Sequence, residues 1–211
     1  MIRRTEFDIR ISVSNICELI DAESGKPLHE EVMAELEDML PQAYKKIHPV
    51  AFLEFGTLDD YELKKNDGYI KDALFGICSI GKEMEEWSGK FFSQGDYLRG
   101  MLADAIADDY LFQMDDAVRK DAVAMCFERG NGIIGRAEAP RDIPMSIQKR
   151  AFEVTGAGEI GIRIKNSFMY DPVKSLCLIY LLDDDTTRYH AEHDCSLCTN
   201  SSCKRRKHVS G

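Results

Sequence analysis

Residues 98–107 read Leu98-Arg99-Gly100-Met101-Leu102-Ala103-Asp104-Ala105-Ile106-Ala107, and this stretch predicts the longest helix of the fold. Its apolar residues recur three or four positions apart, and the same spacing continues through Phe112, Val118 and Cys126. The pattern predicts a continuous helix of about 33 residues, which at 1.5 Å per residue is on the order of 50 Å long. We expect it to end near Gly130, because glycine readily adopts the left-handed conformation that closes a helix.

Strands are predicted on both sides of this helix. Before it, residues 50–55 have strand composition, and the alternation of apolar and polar residues over 7–13 predicts a half-buried strand. After it, residues 160–164 alternate, and the apolar run 175–182 predicts a strand that is buried on both faces. The last two runs are expected to pair as neighbours. The sequence therefore predicts an α+β fold with a mostly antiparallel, twisted sheet and the long helix packed across it.

Two further segments between the long helix and the last strands are assigned. A loop is predicted over residues 136–142, followed by a helix that begins at Pro144 and ends at Gly156.

The aspartates of the long helix are interpreted as a solvated face rather than a metal site. These aspartates are Asp104, Asp108, Asp109, Asp115, Asp116 and Asp121.

Composition places the chain among folded globular proteins. It has 211 residues, 44% of them apolar and 30% charged, with a mean hydropathy of -0.31. No run approaches the roughly 20 apolar residues that span a bilayer, and the N-terminus has no apolar signal core, so we expect a cytoplasmic protein that does not bind membranes. The net charge of -10 makes nucleic acid an unlikely partner for most of the surface.

The C-terminal residues differ from the rest in charge and in cysteine content. Residues 191–211 carry four Lys or Arg against two acidic residues, whereas the rest of the chain is acidic. We therefore divide the chain into an α+β domain, 1–190, and a cysteine-rich, basic tail, 191–211. The tail contains a C-x2-C-x4-C cluster followed by a histidine: Cys195, Cys198, Cys203 and His208.

Thiolates at this spacing can face one cation, so the tail is predicted to bind a metal. Two alternatives stay open. In one, zinc takes all four residues as ligands; in the other, the three thiolates hold an iron–sulfur cluster whose fourth ligand comes from elsewhere. The rest of the chain has no Walker loop, nucleophile elbow or paired-histidine helix motif, and no catalytic residue is assigned.

The stretch from Gly76 to Tyr180 resembles the reactivation domain of cobalamin-dependent methionine synthase, in the stand-alone version found in anaerobes. The tail cluster is similar to the tail of these stand-alone proteins. The matching segments are short and occur in the family's order. They are Ser79-Ile80-Gly81-Lys82-Glu83-Met84-Glu85, Gly95-Asp96-Tyr97-Leu98, Ala105-Ile106-Ala107-Asp108, Pro144 with Gln148-Lys149, Ile160-Gly161-Ile162, Ser167-Phe168-Met169 and Pro172-Val173-Lys174-Ser175.

The resemblance implies a reactivation factor for a corrinoid-dependent methyltransferase. The family binds S-adenosylmethionine beside a cobalamin carried by its partner protein, and methyl transfer traps the reduced cobalt as methylcobalamin. Such a reaction needs no side-chain acid or base. An iron–sulfur cluster in the tail would then deliver the reducing electron. The alternative is a non-catalytic module with a zinc-bound tail and a decayed S-adenosylmethionine site, which binds a corrinoid protein or nucleic acid.

The resemblance also implies where S-adenosylmethionine binds. The family's loop reads Arg-x-x-Pro-Gly-Tyr, and the corresponding place here reads Arg136-Ala137-Glu138-Ala139-Pro140-Arg141, which keeps an arginine and lacks the glycine and the tyrosine. Arg136 or Arg141 would then meet the carboxylate of the ligand. Tyr170, next to the matched Ser-Phe-Met segment, is the second candidate for this pocket.

Overall fold

The computed structural model describes residues 1–58, 61, 63–65, 68–193, 195 and 203. The helices and strands follow one another along the chain in the order β1 (Ile2–Arg4), α1 (Val13–Leu19), α2 (His29–Lys46), β2 (Val50–Thr57), β3 (Leu63–Lys65), β4 (Gly68–Ile70), β5 (Asp72–Ser79), α3 (Glu83–Ser93), α4 (Tyr97–Arg129), β6 (Gly132–Ala137), α5 (Ile147–Thr155), β7 (Arg163–Ile164), β8 (Tyr170–Asp171) and β9 (Ser175–Asp183).

An antiparallel five-stranded sheet in the order β1-β2-β5-β9-β6 forms the centre of the fold. Helices α1 to α4 cover one face, where Leu74 and Tyr180 of the sheet join their apolar core. Helix α5 and the short pairs β3-β4 and β7-β8 belong to the other side, where Phe75 and Ile179 are buried. Strands β5 and β9 are therefore apolar on both faces, as predicted for 175–182.

Helix α4 confirms the prediction that opened the sequence analysis. It has 33 residues, begins after Asp96, whose carboxylate accepts from the N–H of Arg99 at 3.2 Å, and ends at Gly130 with φ 78°. Buried residues are spread over a wide part of its circumference, because the sheet, α1, α2 and α3 all pack against it. In the described part of the chain, no helix has both the length and the apolar character needed to cross a bilayer.

The strand predicted over residues 7–13 is wrong. Residues 5–12 are extended but pair with no strand, and their backbone groups bond to side chains of the helical layer. The Ile11 N–H donates to the Tyr44 hydroxyl at 2.8 Å, and the Gln113 amide donates to the Arg10 carbonyl at 2.9 Å. The alternating pattern reflects an extended segment lying on helices, which buries every second residue just as a sheet does.

Three predictions about the C-terminal half also need correction. Arg136 lies in β6 and not in a loop, and α5 begins three residues after Pro144. The run 160–164 contributes only the two residues of β7, because a 3-10 helix and Gly161, with φ 86°, occupy its first half. Strand β7 pairs with β8, while β9 pairs with β5 and β6.

Candidate functional site

A cavity of about 490 Å³ opens at the β6 edge of the sheet. Its walls come from α4, from β6 and the residues that follow it, from α5, from β8 and its flanking residues, from β9 and from the chain beyond β9. The volume falls within the roughly 300–1,000 Å³ of small-molecule sites. The cavity therefore has room for one ligand of cofactor size.

Arg136 is the central charged group of this cavity. Its Nη1 donates to both carboxylate oxygens of Asp115 on α4, at 3.0 and 2.7 Å, and its Nε lies 3.7 Å from a Glu138 oxygen. Burial disfavours the charged guanidinium, but the neighbouring carboxylates outweigh this effect, and the pKa of Arg136 is raised. The Nε atom is buried and makes no hydrogen bond within the described residues.

One wall of the cavity is apolar. Tyr170 is almost fully buried, and its hydroxyl donates to the Gln148 carbonyl at 2.8 Å. Because the hydroxyl already has this partner, Tyr170 contributes mainly its ring to the wall of the cavity. Burial raises the pKa of Tyr170 and raises the pKa of the neighbouring Cys177 thiol to about 11. Further apolar side chains line the cavity: Phe112, Ala137, Ala139, Met169, Val173, Leu176 and Ile179.

The ionisable residues that line the cavity are mostly acidic. Among the described residues of the lining, two arginines, Arg119 and Arg136, oppose four carboxylates, a formal net charge of -2 with His193 left out of the count. These carboxylates are Asp115, Asp116, Glu138 and Glu192. An excess of carboxylates in a partly enclosed site attracts a cationic ligand and repels an anionic one.

Arg141 lies in an adjoining compartment of about 610 Å³, which shares Arg119, Arg136 and His193 with the first cavity. Its Nε and Nη2 atoms donate to the two oxygens of Asp142 at 2.8 and 2.7 Å. The hydrogen bond from Arg141 lowers the pKa of Asp142, whose carboxylate also accepts from the Glu138 N–H at 2.9 Å. The structure thus brings Arg136 and Tyr170 into one cavity and places Arg141 beside it.

The predicted metal ligands are described in part. Cys195 and Cys203 are half-buried and line the first cavity, whereas Cys198 and His208 lie outside the described residues. Among the residues that are described, no three or more His, Cys, Asp or Glu side chains are arranged to hold a metal ion. Both the metal-binding tail and the division at residue 190 stay predictions.

Several cavity residues were not identified from the sequence. Asp115 was assigned to a solvated helix face, and Glu138, Gln148 and His193 received no role in the pocket. The available signal was the short run Gly132-Ile133-Ile134-Gly135, whose two adjacent isoleucines after the helix end are typical of a strand. Recognising β6 would have placed Arg136 on an edge strand, within reach of the acidic residues of α4.

Comparison with protein-family models finds no match, and comparison with curated proteins finds none either. Among solved structures, the chain is similar to a crystal structure of the MetH reactivation domain bound to AdoHcy. The TM-score is 0.53 at 15% sequence identity, and the alignment covers 83% of this chain and 71% of that chain. This likeness confirms the predicted fold, an α+β architecture with a mostly antiparallel sheet and a long helix.

Proposed function

We propose that this chain is a reactivation factor that binds S-adenosylmethionine in the cavity beside Arg136 and supports the remethylation of a corrinoid held by a partner methyltransferase. One observation carries the proposal: a nearly buried arginine lines a ligand-sized cavity, in a fold like that of a domain crystallised with S-adenosylhomocysteine. The ligand, the partner and the role in reactivation belong to this proposal.

The cavity matches three chemical parts of S-adenosylmethionine. The adenine ring is flat and apolar on its faces, and Tyr170 with Phe112 offers aromatic surface. The carboxylate of the ligand can pair with the guanidinium of Arg136, which lines the cavity. The net charge of -2 attracts the positive sulfonium of S-adenosylmethionine. S-adenosylhomocysteine has no sulfonium and does not gain this attraction.

The loop that corresponds to the family's S-adenosylmethionine loop has no glycine. Its turn is instead held together by side-chain contacts. The Asp142 carboxylate accepts from the Glu138 N–H and holds Arg141 in a two-point ion pair, so residues 138–142 form a compact turn next to the cavity. Arg136 lies just before this turn, at the end of β6. The loop therefore keeps its arginine at the cavity without the residues that the family pattern contains.

In the proposed reaction a low-potential donor gives one electron to the partner's cob(II)alamin. The resulting cobalt electron pair attacks the methyl carbon of S-adenosylmethionine; the bond from sulfur to methyl breaks, and its electrons stay on sulfur as S-adenosylhomocysteine. No proton is transferred. The chain itself positions the sulfonium, excludes water along its apolar wall and holds the amino-acid part by Arg136.

Titration calorimetry tests the ligand directly. Full-length protein titrated with S-adenosylmethionine should give saturable heat, and Arg136→Lys should weaken binding about tenfold or more, because lysine cannot reproduce the planar contacts of arginine. The matched control is Arg150→Lys on α5, since Arg150 bonds to Thr57 and is absent from the cavity walls. Binding of S-adenosylhomocysteine should be weaker at low salt, with the difference shrinking as salt increases.

No heat from the wild-type protein would contradict the proposal and favour the non-catalytic module with a decayed site. Equal losses in Arg136→Lys and Arg150→Lys would place the effect in general stability and not in the site. For the function itself, cob(II)alamin on its methyltransferase, S-adenosylmethionine and a low-potential reductant should yield methylcobalamin faster when the chain is added.

The tail is proposed to hold a metal through Cys195, Cys198 and Cys203. Anaerobic purification with metal analysis separates the two alternatives. About four irons with a broad visible band that bleaches on reduction would indicate an electron-carrying cluster, whereas one colourless zinc would indicate a structural tail with His208 as fourth ligand. Protein free of either metal would contradict the proposal.

A further inference from the structure

The chain beyond β9 folds back over the cavity. Residues 188–193, which we call the strap, lie along the outer edge of β6. The Ile133 N–H donates to the Arg188 carbonyl, and the His190 N–H donates to the Ile133 carbonyl, both at 2.8 Å. These bonds fix the strap at the edge of the sheet from which Arg136 enters the cavity.

Side chains hold the strap on both sides of the cavity. Glu192 lies 3.5 Å from Arg119 of α4, and His193 pairs through Nδ1 with Glu138, which follows β6. Ala191, immediately before these two residues, is 1% exposed and belongs to the core. The last two strap residues therefore connect opposite walls of the cavity, and both line it.

The strap leads directly to the tail cysteines. Cys195 and Cys203 line the same cavity, and only one residue separates Cys195 from His193. A cation held by these thiolates would restrict the chain immediately after the strap. A ligand that contacts Glu192 or His193 would restrict the same segment from the other side.

We infer that ligand binding in the cavity and thiophilic-metal binding by the tail are coupled through the strap. The identity of the ligand and the binding of a metal by the tail both rest on the proposed function. Two binding events that order one segment strengthen each other, because the second no longer carries the entropic cost of ordering it. Coupling between sites is reciprocal, so each ligand changes the affinity of the other by the same factor.

Zinc and S-adenosylmethionine are the probes. Metal-free, fully reduced protein is titrated with S-adenosylmethionine with and without one equivalent of zinc, and zinc affinity is measured by chelator competition with and without S-adenosylmethionine. We expect zinc to tighten S-adenosylmethionine binding about fivefold or more, and the zinc affinity to increase by the same factor.

A flexible insertion tests the route. Four Gly and Ser residues placed between His193 and Asp194 keep every side chain but lengthen the connection, so the coupling factor should fall to about one while both ligands still bind. The matched control has the same insertion between Ser24 and Gly25, in a turn that contributes nothing to the cavity walls. This control should retain the full coupling.

The outcomes separate this inference from the proposed function. If both ligands bind independently, the inference fails and the proposed function stands. If S-adenosylmethionine does not bind, the proposed function fails, and hydrogen exchange decides the inference: zinc should slow exchange of the His190 amide in the wild type but not in the 193/194 insertion. No such protection, or no zinc binding at all, would overturn the inference.

Discussion

Two aspartates of α4, six residues apart, have opposite surroundings. Asp109 is fully buried and accepts from three neutral donors, the Ser12 N–H, the Asn15 amide and the Gln113 amide, at 2.7 to 2.8 Å. Asp115 is partly exposed, pairs with the charged Arg136 and faces the cavity. The first arrangement is closed and holds the N-terminal segment; the second leaves a charged pair at a surface where a ligand can bind.

This comparison shows that residue type alone does not identify a ligand-binding site. Both carboxylates accept hydrogen bonds on each of their oxygens, but of the two only Asp115 shares its partner with an open volume. Six residues of helix rotate the side chain by about 240°, which separates the two aspartates onto different faces. Variants of each residue should therefore separate effects on stability from effects on ligand binding.

The largest effect is expected for Asp109→Ala. The substitution removes a buried carboxylate and leaves three partly buried donors without their acceptor, and we expect a loss of about 3–5 kcal/mol in the free energy of unfolding, measured by urea denaturation. S-Adenosylmethionine affinity of the folded variant should not change. Asp116→Ala, at a mostly exposed position of the same helix, should lower the free energy of unfolding by less than about 0.5 kcal/mol. A small loss at Asp109 would contradict its structural role.

Gly132→Ala should have the next largest effect, because it acts on the strap. A Cβ at this position would lie 1.9 Å from the Asp185 carbonyl oxygen, so the backbone after β9 must move. We expect a loss of roughly 2 kcal/mol in urea denaturation and faster amide exchange at His190. The control is Gly135→Ala, where a Cβ meets nothing within 4 Å. Similar losses in both variants would show that the strap is not held at Gly132.

Asp115→Asn tests the open arrangement. The amide keeps the shape but removes the charge that faces Arg136, and we expect a loss of about 1–2 kcal/mol in the free energy of unfolding. Affinity for S-adenosylmethionine should fall several-fold by calorimetry, since the net charge of the cavity becomes less negative. Asp109→Asn should leave that affinity unchanged. An unchanged affinity in Asp115→Asn would show that the charge of the cavity does not select the ligand.

The sequence predicted the parts of this arrangement that depend on local pattern. Apolar spacing and a terminal glycine located α4, and continuous apolar composition located β9. It could not assign partners to the aspartates of α4, because those partners come from distant segments: Lys174 bonds to Asp104 and Asp108, and Arg4 bonds to Asp121. Interpreting these residues as a solvated face was wrong for the buried Asp109, and the spacing of charges contains no information that distinguishes it.

The smallest effect is expected at the edge of the cavity, for Asp142→Asn. The pKa of Asp142 is lowered in the folded state by the hydrogen bond from Arg141, so its stabilisation is present above the unfolded pKa of about 3.9 and is lost as the pH falls through the folded pKa. Because the pair is partly exposed, we expect the variant to be less stable than the wild type by under about 1 kcal/mol at pH 6, and the difference to vanish near pH 2. Urea midpoints at the two pH values measure this. Arg141→Gln should remove the same pH-dependent difference, and the double variant should lose no more stability than either single variant. A loss of stability in Asp142→Asn that persists in acid would instead assign the effect to the hydrogen bond with the Glu138 N–H.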